Sequence, residues 1–520
     1  MAGAGALGGT RGTVAPGEGE AALSARHIRG SSLLLAGRVL SMVVKLGAQV
    51  LIVRYLSTGD YGVWTYALAA ALFFRGFATL GLNKTLPRFL AIHLEREEHG
   101  RFFGTLFLIL GTLLAATLAV VVAFYAFPHE LAALAGQGPE AVHVLFVVIF
   151  LVPLEALDDF LTGVLSTFSR SRTIFVRRYV ISPFLILLAA VALVAFDADV
   201  LFLAYAYVGA MLAGILYFAW TAARVIGQEG LFRHLQDGVV VPVREVFAYT
   251  APLMTSDWMG TLVVSVGPLF LGYYADMDAV AIYRVVVPLV AVAEVVRRTF
   301  ALLYQPTASR LFARGDHPGL EGLYWRTATY VAVLSFPAFA FLFAGAEPLT
   351  VFFFGERYAA SATILSLLVL AHYFASALGP NNHTLKVVGR VGWVVAINVA
   401  TACLTLLLHG VLVPSFGVVG AGVATACTIG MHHGLYHLAL WKVAGVRAFD
   451  ARYLKPYVTM AATFPLLAAV RVLASDALAP MAAAVALTSL AVLVSARSSL
   501  ALSATFPEVG RFRLVRVLLG

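Results

Sequence analysis

The chain contains little charge. Of its 520 residues, 12% are Asp, Glu, Lys or Arg, whereas 61% are hydrophobic and the mean hydropathy is +0.90. A soluble domain carries about twice that charged fraction. Apolar stretches recur along nearly the whole length and leave no room for a soluble catalytic domain. The composition therefore predicts an all-α, polytopic integral membrane protein.

The chain is also poor in the residues that build disulfides and metal sites. Its two cysteines, Cys403 and Cys427, both lie in apolar stretches. His432, His433 and His437 cluster in the sequence, but without an evident third metal ligand, so we expect them at the membrane interface. No nucleotide-binding loop, Ser/His/Asp arrangement or zinc motif is visible. We predict no metal, no cofactor and no enzymatic activity.

Fourteen apolar stretches are long enough to be transmembrane helices, since a span needs about 20 apolar residues. They cover about 31–53, 63–82, 103–127, 141–163, 180–196, 201–223, 247–274, 279–304, 325–345, 359–379, 391–413, 417–440, 456–474 and 480–497. With the N-terminus inside, most of the 36 Lys and Arg residues fall on the inner side, and the outer loops are short and acidic. This asymmetry predicts a multi-pass protein of the cytoplasmic (inner) membrane with both termini cytoplasmic. It explains the net charge of +9 without a nucleic-acid partner.

The chain contains a weak internal repeat. Residues 54–60 resemble residues 272–278, and residues 86–91 are echoed within residues 305–313. Six predicted spans separate the copies, so both copies have the same orientation, as in transporters built from two parallel repeats. We predict two pseudo-symmetric six-helix lobes, an N-lobe over 31–230 and a C-lobe over 240–440, followed by two more spans over 450–500. Residues 1–30 are predicted to be a disordered cytoplasmic tail, and residues 501–520 a basic cytoplasmic tail.

Charged residues inside the predicted spans need an explanation, because one near the bilayer centre costs roughly 2.5–3.5 kcal/mol on insertion scales. Arg38, Lys45 and Arg75 lie in the first two spans. The offset of the repeat maps Arg38 to Asp257 and Arg75 to Glu294, each within about one residue. Two interpretations remain open. Arg38–Asp257 and Arg75–Glu294 are structural ion pairs between the lobes, or these side chains line a central cavity that receives an anionic head group while the carboxylates titrate.

Further charged residues lie in the fourth and eighth spans. Glu155, Asp158 and Asp159 point toward one side of a helix. Paired with Lys or Arg they would be structural; facing water they could bind a proton or a sodium ion. Arg284 begins the eighth span shortly before Pro288, and is either an interfacial anchor or a substrate ligand.

The seventh span is rich in helix-bending residues. It contains Pro252, Gly260, Gly267 and Pro268. Proline removes a backbone hydrogen bond and glycine lowers the cost of bending. This span is either a hinge that kinks or unwinds, or an ordinary tilted helix with packing glycines.

Several short stretches, spread over most of residues 31–440, resemble a known family. They are residues 61–64 (Tyr-Gly-Val-Trp), 80–82 with 86–91, Pro306 with Ser309, 354–358 (Phe-Gly-Glu-Arg-Tyr), 385–390 and 413–422. In order and spacing they resemble the polysaccharide flippases, the Wzx-like O-antigen and exopolysaccharide exporters of the multidrug/oligosaccharidyl-lipid/polysaccharide superfamily.

The resemblance implies a V-shaped, two-lobed transporter with a central cationic cavity. Such proteins move undecaprenyl-diphosphate-linked oligosaccharides between leaflets by alternating access, and a polysaccharide polymerase and chain-length machinery are the expected partners. By analogy with the related lipid II flippases, the cavity cations would be Arg38 or Lys45, Arg75 and Arg284. The chain departs from the family at residues 265–267 (Ser-Val-Gly), where many members carry an aspartate, so that residue's ion-coupling role cannot be transferred.

Two competing functions remain. A small-molecule or drug exporter of the same superfamily should present unpaired carboxylates to a cationic substrate. An integral-membrane polysaccharide polymerase or ligase usually needs a long outer loop with catalytic polar residues, and no predicted outer loop here is long. The sequence therefore favours the flippase, with its substrate held by the cavity cations.

Overall fold

The computed structural model describes residue 37 and residues 40–128, 139–473 and 478–500. All regular structure within these ranges is helical, as the composition predicts. Arg38 and the two predicted tails, 1–30 and 501–520, lie outside the described residues.

The first half of the chain forms one helical bundle. Its helices are α1 (40–55), α2 (Thr58–Ala78), α3 (Leu82–Glu95), α4 (His99–Ala126), α5 (Pro139–Val148), α6 (Leu151–Thr167), α7 (Ser171–Phe175), a π-helical turn (Val176–Ile181), α8 (Ser182–Ala195) and α9 (Val200–Gln228). α6 is central, because α3, α4 and α9 all pack against it. We call this set the first bundle; it corresponds to the predicted N-lobe.

The second half forms another bundle. Its helices are α10 (Val243–Tyr274), α11 (Met277–Arg284), α12 (Val287–Ala293), α13 (Val295–Ala313), α14 (His317–Ala344), α15 (Ala346–Phe354), α16 (Ser361–Ala377), α17 (Asn381–Val387) and α18 (Val391–Val443). Here α18 packs against α10, α16 and α17. We call this set the second bundle. The last two helices, α19 (Leu454–Leu473) and α20 (Leu478–Leu500), pack on each other and on α14.

By length and hydropathy, eight helices of the described ranges are long and apolar enough to cross a membrane, or ten if each of two bent pairs is one span. The protein is therefore a multi-pass membrane protein, while the count of fourteen stays a prediction. The bent pairs are α2 with α3, at 44°, and α11–α12 with α13, at 50°. They lie at equivalent places of the proposed repeat.

α18 is in fact two helices that meet at Gly417. This residue has φ 53° and ψ −130°, outside the helical region. A Cβ placed on Gly420 would overlap the carbonyl oxygen of Leu412, although eight residues of continuous helix would separate them by about 12 Å. The chain therefore reverses direction here, at the boundary that the sequence placed between residues 413 and 417.

α10 runs without interruption through Pro252 and Pro268. The structure therefore agrees with the second interpretation of the seventh span, an ordinary helix, rather than with one that unwinds. Gly267 lies against the ring of Tyr283, and a Cβ there would be 3.1 Å from that ring, whereas a Cβ on Gly260 would meet nothing within 4 Å. Gly260 thus faces open space inside the protein.

The two bundles meet chiefly along α2, which packs against both α10 and α11. The approach is close because the contact residues are small. A Cβ on Gly62 would overlap the backbone carbonyl oxygen of Met277, and one on Gly272 would overlap the ring of Tyr66. Glycine at these two positions lets the helix axes come together.

Candidate functional site

Arg75 is neutralised inside its own bundle. Its Nε lies 3.1 Å from Oε2 of Glu155, and its Nη1 lies 3.1 Å from Oδ2 of Asp159. The predicted Arg75–Glu294 pair between the lobes is wrong, because α6 brings two carboxylates to the same side of the first bundle as Arg75. Arg75 is therefore paired with two anions, although its side chain also lines two cavities.

The carboxylates of α6 also pair with two arginines of the π-helical turn. Arg177 Nη2 is 2.9 Å from Oδ1 of Asp158, and Arg178 Nη2 is 2.8 Å from Oδ1 of Asp159. The side chain of Arg177 is only 3% exposed. It passes so close to α9 that a Cβ on Gly214 would overlap its guanidinium group. The three carboxylates of α6 and their three arginines form one network, which we call the α6 ion-pair network; it consists of Arg75, Glu155, Asp158, Asp159, Arg177 and Arg178.

The α6 ion-pair network bears on the question left open for these carboxylates, which also line a cavity, so the choice between a structural and an ion-coupling role stays a prediction. Each carboxylate has an arginine partner, which is the condition under which the sequence predicts a structural role. Charged side chains inside the membrane need such partners, since an unpaired charge there is energetically costly. Sequence reasoning missed Arg177 and Arg178 because it assigned them to an inner loop; the short predicted fifth span was the available signal that the helix begins earlier.

Lys45 and Arg284 lie together at a cavity of about 220 Å³ between α1, α2, α8, α9, α11 and α12. Gln49, Tyr61 and Trp64 contribute its polar and aromatic wall. Gln49 Nε2 donates to the Tyr61 hydroxyl at 2.8 Å and so fixes that wall. We call this space the cationic cavity. Lys45 also lines an adjoining cavity of about 290 Å³, whose other walls include Arg75 and the three carboxylates of α6. Of the predicted cavity cations, the cationic cavity brings together Lys45 and Arg284, whereas Arg75 shares the adjoining cavity with Lys45.

Within the described part of the chain, the lining of the cationic cavity holds no carboxylate, and the acids that Lys45 faces across the adjoining cavity are those already paired with arginines. The Nε of Arg284 is buried without a hydrogen-bond partner, and the described residues offer Lys45 no ion pair. A buried donor without a partner is costly, and two uncompensated cations in the membrane are more so. The arrangement is suited to an anion that enters from outside the protein.

A larger cavity of about 510 Å³ separates the bundles, lined by α2, α3, α6 and α10. We call it the inter-bundle cavity. Asp257 lies on its wall and pairs with Lys84 of α3; its predicted partner, Arg38, is outside the described residues. Near this pair, the Thr85 and Thr250 hydroxyls are 2.8 Å apart and bridge the bundles.

Glu294 is neutralised within the second bundle. Arg297 and Arg298, on the next turn, both pair with its carboxylate. The Nδ1 of His372, on α16, lies 3.0 Å from its Oε1. The ion pairs of Glu294 within the described residues thus all lie in the second bundle, at the junction of α12 and α13.

The second bundle also encloses a polar cavity of about 260 Å³. We call it the C-lobe cavity. His432 and His433 line it, and His433 Nδ1 lies 3.1 Å from the amide oxygen of Asn381. The α17 segment folds against these histidines, so they face a cavity of the second bundle, and their position at the membrane interface stays a prediction. Among the described residues, no group of three or more His, Cys, Asp or Glu side chains could hold a metal ion.

Comparisons with known proteins agree with this architecture. The probable low-salt glycan biosynthesis flippase Agl15 of Haloferax volcanii is 21% identical over 234 residues, which are 45% of this chain and 48% of that protein. The match thus spans about half the length of this curated relative. The solved structure of the lipid II flippase MurJ, in an inward closed conformation, has a TM-score of 0.66 at 13% identity and covers 92% of this chain and 99% of that one.

A second solved structure has a related fold. It is a multidrug resistance MATE family transporter of the MOP superfamily in an inward-facing conformation, with a TM-score of 0.60 at 13% identity, covering 79% of this chain and 100% of that one. At such identities these structures show the fold alone. A family model described as polysaccharide biosynthesis protein matches residues 27–312. That match covers more than half of the chain, so this protein belongs to the polysaccharide biosynthesis protein family.

Proposed function

We propose that the protein is a flippase that moves an oligosaccharide, linked through a diphosphate to a polyprenyl lipid, from the inner to the outer leaflet of the cytoplasmic membrane. The observation that carries the proposal is the cationic cavity, where Lys45 and Arg284 face one space that no described carboxylate lines. Family membership and the relative named as a glycan biosynthesis flippase support it.

The chemistry of the cationic cavity matches a diphosphate. A lipid-linked diphosphate carries about two negative charges, the number that Lys45 and Arg284 supply. Arg offers a planar fork for two phosphate oxygens, and Lys supplies a compact point charge. In a low-dielectric site these contacts are stronger than in water. The lipid tail would stay in the bilayer, and the glycan would occupy the polar space between the bundles.

The rival function, a drug exporter for cations, is less well supported. The fold of the MATE transporter is shared, but a cationic substrate needs a free carboxylate. Here Glu155, Asp158, Asp159, Asp257 and Glu294 all contact arginine, lysine or histidine. An integral-membrane enzyme is likewise disfavoured, because the fold is that of transporters.

Transport would proceed by rocking of the two bundles about α2. The Thr85–Thr250 contact and the Lys84–Asp257 pair join the bundles at the predicted cytoplasmic end, and these contacts must separate for substrate to enter from that side. Both termini are cytoplasmic in this proposal. A polysaccharide polymerase and chain-length machinery would receive the flipped product on the other side.

The test removes the cavity charges with little change of shape. Lys45→Met and Arg284→Gln, singly and together, are placed in cells that lack the wild-type protein, and export of the glycan is measured together with the amount of inserted protein. We expect a loss of at least about tenfold for each, since a charged hydrogen bond contributes about 1.5–3 kcal/mol.

Lys442→Met is the matched control. Lys442 is an exposed lysine at the end of α18 and lines none of the cavities described above, so export should remain normal. Normal export by the Lys45/Arg284 double variant at wild-type protein levels would refute the proposed role of the cationic cavity.

A further inference from the structure

The C-lobe cavity opens toward the space between the bundles. Ser256 and Gly260, on α10, line both the C-lobe cavity and the inter-bundle cavity. Because Gly260 has no side chain and a Cβ there would meet nothing within 4 Å, the helix leaves a gap at this point. A molecule in the inter-bundle cavity can extend through the gap into the second bundle.

The wall of the C-lobe cavity is polar but carries no carboxylate among the described residues. Its polar side chains are amides, hydroxyls and imidazoles, with a single arginine, Arg297. Glu294, which contacts the lining residues Arg297 and His372, is already held by Arg297, Arg298 and His372. A metal or organic cation would find no free anion here. Amides and imidazoles instead offer both donors and acceptors, the combination that hydroxyl groups need.

Three buried polar atoms of the residues that line this cavity lack a hydrogen-bond partner: Oδ1 of Asn382, Nε of Arg297 and Nδ1 of His372. The last lies 3.0 Å from Oε1 of Glu294, which leaves the acceptor of Asn382 and the donor of Arg297. Buried polar groups in proteins are normally hydrogen-bonded, so an unpaired acceptor and donor at one cavity indicate a ligand that supplies both. The volume of about 260 Å³ is many times the roughly 10–15 Å³ that a cavity needs to hold one water molecule, so it leaves room for one pyranose ring.

From this geometry we infer that the C-lobe cavity binds a sugar residue of the transported glycan, through hydroxyls that pair with Asn382 and the histidine-lined wall. The inference rests on the proposed flippase function and adds a second recognition point to it. The cationic cavity takes the diphosphate, which lipid-linked glycans share, whereas the C-lobe cavity contacts the sugar and so selects among them.

Gly260→Leu tests this by closing the gap. A Cβ there meets nothing within 4 Å, so the new side chain begins in open space and extends into the entrance. Asn382→Ala is the second variant and removes one unpaired acceptor without filling the cavity. Gly111→Leu is the matched control, because a Cβ on exposed Gly111 of α4 also meets nothing within 4 Å.

Binding to the purified full-length protein is measured with two probes. One is the lipid-linked glycan extracted from cells that lack this protein, and the other is polyprenyl diphosphate without sugar. We expect Gly260→Leu and Asn382→Ala to bind the lipid-linked glycan about tenfold more weakly, because one or two hydrogen bonds are lost. Both variants should bind the sugar-free lipid as the wild type does, and Gly111→Leu should match the wild type with both probes.

The outcomes separate the two proposals. Wild-type binding of the lipid-linked glycan by both Gly260→Leu and Asn382→Ala would overturn the sugar site and leave the flippase proposal intact. Equal weakening with both probes would also overturn it, since the effect would then not depend on the sugar. Failure of the wild type to bind either probe would overturn the flippase proposal, and the sugar site with it.

Discussion

Asp158→Asn is expected to destabilise the first bundle strongly. The carboxylate of Asp158 lies 2.9 Å from Nη2 of Arg177, and the two side chains are 12% and 3% exposed. Breaking a buried ion pair by removing one partner costs about 3–5 kcal/mol, because the remaining charge is buried without compensation. Gly214 of α9 lies directly against Arg177, so the guanidinium group has no room to reach water.

The assay is thermal unfolding of the purified protein in detergent. A cost of 3–5 kcal/mol should lower Tm by roughly 3–6 °C, because the change in Tm per kcal/mol becomes smaller as the chain becomes longer. Replacing both members, Asp158→Leu with Arg177→Met, should recover most of this loss, because a buried pair exchanged for apolar side chains is often neutral.

The control is an exposed ion pair. Glu229 lies 3.5 Å from Arg170, with both side chains more than 40% exposed, and such pairs contribute about 0–1 kcal/mol. Glu229→Gln should therefore leave Tm nearly unchanged. If Asp158→Asn also unfolds at the wild-type temperature, or if the double variant loses as much as the two single variants combined, the structural role of the α6 ion-pair network is refuted.

Two further predictions concern the contact between the bundles, and a third concerns Arg75 of the α6 ion-pair network. Gly62→Val should lower Tm, because its side chain would overlap a backbone carbonyl of α11, whereas Gly47→Val, with nothing within 4 Å, should not; equal stability of the two would contradict the close packing. Lys84→Asp and Asp257→Lys should each reduce export and the double exchange should restore it, since the pair joins the bundles; an inactive double variant would argue against pairing. Arg75→Met should reduce the amount of folded protein while the remainder still binds polyprenyl diphosphate, because Arg75 is held by two carboxylates; stable protein that no longer binds would place it in the substrate site.

Much of the fold was predictable from the sequence because hydropathy is a local property. Membrane spans need long apolar stretches, so the all-helical class follows directly from composition. Boundaries near residues 274 and 417 are marked by local signals, such as the glycine at position 417. The start of the fifth span was less predictable, because Arg177 and Arg178 resemble loop residues until the acids of α6 are placed beside them.

The candidate site was only partly predictable. Lys45 and Arg284 were identified as unusual because charge is rare in spans, and the family resemblance supported both. The sequence could not say that Arg75 is neutralised by Glu155 or that Glu294 is held by His372. Those partners are 80 and 78 positions away, and which helix faces meet is decided by the packing of whole bundles.

By itself, then, the sequence determined a membrane protein of the flippase type, the approximate position of its helices and the small set of charges that require an explanation. Only the tertiary structure decided which of those charges neutralise one another and which face an empty space. The physical reason is the range of each interaction. Hydropathy is summed along a single helix, whereas an ion pair needs two side chains within about 4 Å, and the rotation and approach of helices far apart in the chain set that distance.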